Sequence, residues 1–186
     1  MGKIISIGID PSFTGTGVVI LIEGQLYHST TILTDPNKGI LDRVDTVAFG
    51  ILNALNKAFQ RYSKNEDKFI VSIEGFSYSS KGRAVFQIGY LGWKVREIID
   101  DFCRDKDIEW IDIPPNNLKL YATGKGNCAK ELIMLQVYKR WNAEFSDNNQ
   151  ADAFVLAKMA HSYILGNEGL TDFQIKSMDA VRSVNK

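Results

Sequence analysis

The chain of 186 residues is poor in cysteine and has no excess of charge of either sign. The two cysteines, Cys103 and Cys128, lack metal-ligand spacing, which predicts reduced thiols in a cytosolic protein. Basic and acidic residues number 22 each, so any site for a polyanion must come from local clustering. No apolar stretch reaches about 18 residues and no leader pattern occurs, which predicts neither a membrane span nor secretion.

A hydrophobic content of 45% suits one globular domain, which we predict over residues 1–165, with 166–186 as a peripheral C-terminal segment. Hydrophobic periodicity predicts strands at 3–10, 16–23, 25–33, 69–74 and 108–113, and helices at 40–62, 84–105, 128–141 and 149–165. Three antiparallel strands followed by strands separated by helices indicate an α/β fold, with a five-stranded mixed sheet and helices on both faces.

Three acids stand where these core elements begin or end. Asp10 closes the first strand, and a glycine–threonine turn at 15–17 follows it; Glu74 closes the fourth strand. Asp152 lies near the start of the last core helix. An unpaired carboxylate beside strand hydrophobics is costly to desolvate, whereas oxygen ligands from neighbouring elements are what Mg²⁺ requires. The acids together therefore indicate a metal site; the alternative is that each caps a helix or pairs with a lysine.

Several short stretches, taken in order and spacing, resemble the RuvC family of Holliday-junction resolvases within the ribonuclease H-like fold, most of all its phage-type members. They are IGIDP at 7–11, GTG at 15–17, Ile73-Glu74 and QADAF at 150–154, and the resemblance covers residues 3–165. It implies a metal-dependent, structure-selective endonuclease that cuts phosphodiesters at four-way junctions and other branched DNA. It also implies two Mg²⁺ ions per active site, with Mn²⁺ as a substitute, and 5′-phosphate and 3′-hydroxyl ends.

The partners implied by the resemblance are branched DNA and a second copy of the chain, since a four-way junction has two-fold symmetry. No membrane partner is expected, and the expected location is the cytoplasm of a bacterial or phage-infected cell. The resemblance carries over the metal-ligand and catalytic roles to four positions, Asp10, Glu74, Asn149 and Asp152. It adds Lys130 as a further catalytic residue, which together with Lys119 matches the family's lysine-bearing segment.

Asn149 departs from the family pattern. Family members usually carry Asp or His three residues before the last aspartate, one helical turn away on the same face. The Asn149 carbonyl oxygen can ligate a metal, but the side chain brings no negative charge and cannot act as a base. Two explanations stay open: a native asparagine with a weaker or altered second metal, or an engineered Asp→Asn replacement that traps an uncleaved complex.

Two segments are predicted to contact DNA. In the first, Phe76 and Tyr78 are expected to stack on unpaired bases, and Lys81 and Arg83 to bind phosphates. The alternative is that Phe76 anchors the core. The second segment holds three lysines, Lys119, Lys125 and Lys130. The amides and ammonium groups around its turn at 124–126 suit backbone phosphates, whereas the alternative is an ordinary solvated loop.

Gly89 and Gly92 lie within a predicted helix, which each weakens by nearly 1 kcal/mol relative to alanine. Close approach of another backbone, either by packing within the chain or at a dimer interface, would explain them. Trp93, Trp110 and Trp141 are predicted to be core residues.

Three other functions compete with the nuclease. Asn149 favours a junction-binding protein that has lost its catalysis. The acid and glycine–threonine turn also open ATP-binding domains of the actin and sugar-kinase type, although those usually need two such domains. A ribonuclease that acts on RNA–DNA hybrids is the third.

Overall fold

The computed structural model describes residues 2–62, 66–76 and 83–185. Within these ranges the strands are β1 (Ile4–Asp10), β2 (Thr16–Ile22), β3 (Gln25–Ile32), β4 (Lys68–Glu74) and β5 (Glu109–Ile113). The helices are α1 (Ile40–Phe59), α2 (Arg83–Lys106), α3 (Pro115–Thr123), α4 (Lys130–Trp141), α5 (Asn148–Leu165) and α6 (Asp172–Val184). Each predicted strand and helix is present, with its ends shifted by at most three residues.

The strands form one five-stranded sheet in the order β3-β2-β1-β4-β5. Strand β2 pairs antiparallel with β1 and with β3, whereas β4 pairs parallel with β1 and β5 pairs parallel with β4. The hairpins between the first strands need only short turns, whereas the parallel strands are separated by α1 and α2 as crossover connections. The predicted mixed sheet is therefore confirmed.

The two faces of the sheet carry different helices. Ile7 and Val71 belong to the buried cluster that includes α1 and α2. Val19 and Ile70 belong to the cluster that includes α3, α4, α5 and α6. Because neighbouring side chains of a strand point to opposite faces, this assignment fixes the direction of every other residue on the central strands. The prediction of helices on both faces is confirmed.

Helix α5 packs directly on β1, and its residues are buried on almost every side from Ala151 to Ala160. The contact depends on Gly8, because a Cβ atom added there would collide with the Ala153 carbonyl oxygen and lie 2.5 Å from the Ala157 amide nitrogen. Glycine thus lets the helix backbone approach the strand backbone closely. This close contact sets the distance between the first turns of α5 and the sheet.

Sequence periodicity missed α3. Pro115 is the first residue of that helix, a position where its missing N–H costs nothing. The segment predicted to be peripheral carries α6, whose Met178 and Val181 are fully buried against the same core as α3. The division of the chain at residue 165 stays a prediction.

Trp93 was predicted to be buried, and that prediction is wrong: 66% of the residue is exposed. Trp110 and Trp141 do pack against the core clusters. Both cysteines are free thiols, and burial raises the pKa of Cys103 to about 12. None of the helices in the described ranges is long and apolar enough to cross a bilayer.

Candidate active site

Asp10 and Glu74 end two adjacent parallel strands at the same edge of the sheet. Ile9 pairs with Ile73 in the register of β1 and β4, so the two acids follow at the next position of each strand. Ile9 and Ile73 point into the cluster with α1 and α2. Their neighbours Asp10 and Glu74 therefore face the opposite side, where α5 lies.

Asn149 lies over the same edge of the sheet. Gly17 of β2 is the register partner of Asp10, and a Cβ atom added to Gly17 would collide with the carbonyl group of Asn149. A Cβ atom added to Gly15 would lie 3.1 Å from the Asn149 amide nitrogen. The glycines of the predicted turn thus let the first turn of α5 rest on the β1–β2 hairpin, with the Asn149 backbone over the residue that pairs with Asp10.

Asp152 follows Asn149 by three residues and hence lies on the same side of α5. Asp152 and Asp10 are each only 5% exposed. Carboxylates this deeply buried require compensating hydrogen bonds, positive charge or a metal. The sheet edge and the first turns of α5 therefore place the four residues predicted as ligands on the same side of the sheet, and a shared metal site stays a prediction.

The first turn of α5 is fixed to the sheet by Asp147 and Thr31. The Asp147 carboxylate accepts hydrogen bonds from the Gln150 backbone N–H at 2.9 Å and from the Thr31 hydroxyl at 2.6 Å. Burial raises the pKa of Asp147, but these hydrogen bonds outweigh it and hold the pKa below its usual value. Asp147 is therefore the N-cap of α5, and it acts on the site by orienting the helix that carries Asn149 and Asp152.

The donor atoms at this edge suit a hard divalent cation, because all of them are carboxylate or amide oxygens. In the described part of the chain, however, no three Asp, Glu, His or Cys side chains are grouped closely enough to form a metal site. The acids Asp10, Glu74 and Asp152 thus do not form such a group by themselves, and Asn149 stands where the family pattern places an acid or a histidine. The chemistry of the residues fits Mg²⁺ or Mn²⁺, with the asparagine as the weak member.

No protein-family model matches the chain, but a curated relative and solved structures are similar to it. A stretch of 63 residues is 40% identical to the crossover junction endodeoxyribonuclease RuvC of Chlamydia muridarum. That stretch is 32% of this chain and 36% of the relative, so the match spans about a third of the relative's length. The structure of Thermus thermophilus RuvC is similar with a TM-score of 0.63, covering 88% of this chain and 96% of that one at 21% identity.

The chain has the RuvC fold. A second solved structure, T. thermophilus RuvC in complex with a Holliday junction substrate, gives a TM-score of 0.64 at 18% identity. It covers 89% of this chain and 97% of that one. The RuvC fold is a variant of the ribonuclease H-like fold, so the predicted fold is confirmed, while the phage-type assignment stays a prediction.

The predicted basic segment of this RuvC fold connects α3 to α4. Lys119 is half-buried on α3, and Lys125 is exposed in the connection. The N–H groups of Gly124 and Lys125 donate to the Leu120 carbonyl at 2.8 Å and the Thr123 hydroxyl at 3.1 Å, so these amides are already used within the protein. These two amides are therefore not available to phosphate, and DNA contact by the lysines stays a prediction.

The remaining predicted DNA contacts can be located only in part. Tyr78 and Lys81 lie outside the described residues, whereas Arg83 and Lys130 are the first residues of α2 and α4. Phe76 lies two residues after the end of β4, and its ring centroid lies 4.0 Å from the guanidinium carbon of Arg96 and 5.3 Å from the Trp93 ring. Phe76 is half-buried and belongs to neither core cluster, so its role as a core anchor and its stacking on bases both stay predictions.

A cleft of about 370 Å³ opens beside Glu74 in the RuvC fold, between the β1–β2 turn and α2. Ser12, Phe13, Phe76 and Leu91 contribute to its walls, and Arg96 lies at its base. Sequence reasoning did not single out Arg96, because one arginine in an amphipathic helix normally faces solvent. A signal was nevertheless present, since Arg96 follows the buried Val95 and lies three residues before the buried Ile99.

Proposed function

We propose that this protein is a metal-dependent, structure-selective endonuclease that cuts phosphodiesters at four-way DNA junctions. The observation that carries the proposal is the shared direction of Asp10 and Glu74, which end neighbouring parallel strands and face α5, where Asn149 and Asp152 lie. The RuvC fold supports the same function, because one of the similar structures is a RuvC bound to a Holliday junction.

Asp10, Glu74, Asn149 and Asp152 would hold divalent metal, Mg²⁺ or Mn²⁺, in two positions. When bound, the metal supplies Lewis-acid stabilisation of the charge that develops on the phosphate. The ends expected are a 5′-phosphate and a 3′-hydroxyl, as the resemblance implies. The burial of Asp10 and Asp152 strengthens their interactions with any cation, because electrostatic forces increase where water is excluded.

The chain's cations would bind the DNA backbone near this edge. Lys119, Lys125 and Lys130 belong to one segment between α3 and α4, and Arg83 with Lys81 belongs to the segment that enters α2. Contacts of this kind position a nucleic acid without reading its sequence. A protein with no net charge then depends on these local groups, so junction binding should weaken strongly with added salt.

The homodimer in this proposal would form through an apolar stripe of α2. Phe86, Tyr90 and Trp93 follow one another at helical spacing and are 80%, 45% and 66% exposed. Gly89 lies within the same stripe, and a Cβ atom added there would meet nothing within 4 Å, which leaves a flat surface for a close neighbour. A second copy is the occupant that fits, since paired cuts across a two-fold junction require two sites.

Replacing Phe86 with aspartate should weaken this dimer at least tenfold, since it would place a charge in the centre of an apolar contact. Analytical ultracentrifugation over a range of concentrations measures the change. Leu165→Asp is the matched control, because Leu165 is 56% exposed at the end of α5 on the other side of the sheet. Equal dissociation constants for the two variants, or a monomeric parent chain, would remove α2 from the interface.

The direct test of the function is a gel assay with four-way junction, linear duplex and RNA–DNA hybrid substrates of equal length. We expect Mg²⁺-dependent cuts only in the branched substrate, and no cuts in EDTA. Tight junction binding without cleavage in Mg²⁺ or Mn²⁺, even after Asn149→Asp, would instead favour a non-catalytic junction-binding protein. Cleavage confined to the hybrid would favour a ribonuclease.

A further inference from the structure

Arg96 joins four parts of the molecule behind the candidate active site. Its side chain is almost completely buried, at 5% exposure of the residue. Its guanidinium group donates to the Asp112 carboxylate on β5 at 2.8 Å, to the Gly92 carbonyl at 3.0 Å and to the Glu74 carbonyl at 3.0 Å. The same group lies 4.0 Å from the centroid of the Phe76 ring.

These contacts lie on the side of β4 opposite to the Glu74 carboxylate. Arg96 comes from α2, whereas the alternation of side chains along β4, with Ile73 on the α2 side, directs the Glu74 side chain toward α5. On the β5 side, the next amide, that of Gly75, donates to the Ile113 carbonyl at 2.7 Å. The peptide group that joins Glu74 to Gly75 is therefore held at both its oxygen and its nitrogen.

Asp112 neutralises the charge of Arg96 and is itself fixed through its backbone. Asn185 accepts a hydrogen bond from the Asp112 N–H at 2.8 Å and donates to the Asp112 carbonyl at 2.9 Å. Asn185 also donates to the Val181 carbonyl of α6 at 2.8 Å. Asn185, at the end of α6, thus fixes Asp112 on β5. Asp112 in turn holds Arg96, whose guanidinium group contacts the end of β4.

We propose that Arg96 is a positioning residue for the metal ligand Glu74, acting through the Glu74 carbonyl and the Phe76 ring. The inference rests on the proposed function, in which Glu74 is a ligand. Arginine suits the role because its planar fork donates in several fixed directions at once, which the single ammonium group of lysine cannot do. Residues that orient the ligands of a metal site through hydrogen bonds commonly contribute about 10–100-fold to metal affinity or activity.

The test compares Arg96→Lys with Arg104→Lys, both prepared in the Asn149→Asp chain. Arg104 is the matched control, because it lies on the same helix with a 71% exposed side chain paired to Asp100. Three quantities are measured for each variant. Mn²⁺ binding to the DNA-free protein is measured by calorimetry. Junction affinity is measured in EDTA, and the cleavage rate is measured in Mg²⁺. For Arg96→Lys we expect about 10–100-fold weaker Mn²⁺ binding and a lower kcat, with junction affinity unchanged.

Amide hydrogen exchange at Gly75 and Phe76 provides a readout that does not depend on catalysis. Arg96→Lys should accelerate exchange there and leave β1 as slow as in the Arg104→Lys control. Should Arg96→Lys fail to fold, Asp112→Asn serves in its place, because it keeps an acceptor for Arg96 while removing the charge; we expect the same direction of change in Mn²⁺ affinity and in exchange.

The outcomes separate this inference from the proposed function. Mn²⁺ affinity, kcat and exchange all equal to those of the control would overturn the role of Arg96 while leaving the nuclease intact. If the Asn149→Asp chain with native Arg96 neither binds Mn²⁺ nor cuts junctions, the proposed function itself fails. In that case the Arg96 inference fails with it, whatever the exchange rates are.

Discussion

Replacing Asn149 with aspartate is expected to raise Mg²⁺-dependent junction cleavage by roughly 100-fold, equivalent to about 2.7 kcal/mol in activation free energy. Asn149 lies over Gly17, the register partner of Asp10, so a carboxylate there would add a charged oxygen to the proposed ligands of the cation. An amide oxygen is a weaker ligand than a carboxylate for a hard dication. The measurement is the single-turnover rate on a labelled four-way junction.

The control for this gain is Asn53→Asp, which adds the same charge at an exposed position of α1, on the opposite face of the sheet. It should leave the cleavage rate unchanged. Equal rates for the parent chain and for Asn149→Asp would show that position 149 is not a critical ligand. A large gain, in contrast, would mean that the chain already holds every other component of an active nuclease.

A second large effect is expected from Gly8→Ala, which should destabilise the fold by about 3 kcal/mol. The new methyl group would collide with the backbone of α5 at Ala153, and backbone cannot move aside as a flexible side chain does. The free energy of unfolding is measured by urea denaturation, with an unchanged slope as evidence that the two-state analysis holds.

Ser6→Ala is the matched control for that loss, since Ser6 lies two residues away on the same face of β1. Its buried hydroxyl finds no hydrogen-bond partner among the described residues, so removing it should be neutral or slightly stabilising. If Gly8→Ala has the same denaturation midpoint as the parent, the close contact between α5 and β1 is not needed for stability.

The parts of the fold that could be predicted from sequence are those with long, regular patterns. Strands β1 and β4 are continuous apolar runs that each end in an acid, and α1 repeats buried residues such as Val44, Val47 and Ile51 at helical intervals. Helix α3 has only nine residues and begins at a proline, so its pattern was too short to separate from a loop. Short helices depend on tertiary packing, which a local pattern does not contain.

The site could be predicted less completely than the fold. Asp10, Glu74 and Asp152 were found because acids at the ends of apolar elements are unusual. The positioning role of Arg96 was not predicted. Its hydrogen bonds to the backbone carbonyl of Glu74 and to Asp112 join residues that are far apart in the chain. The exposure of Trp93 was missed for a related reason: the sequence of an amphipathic helix does not show whether a large aromatic residue faces the core or the solvent.

Gly17 has a consequence for genetic studies of this protein. It has no functional group, yet its missing side chain is what lets the Asn149 backbone rest on the residue that pairs with Asp10. In a screen for lost junction resolution, substitutions at position 17 would therefore be inactivating, as those at the carboxylates would be. A map of inactivating alleles would then wrongly identify Gly17 as a catalytic residue. Pairing such a screen with a measure of protein abundance would distinguish alleles that remove a ligand from those that push the helix away.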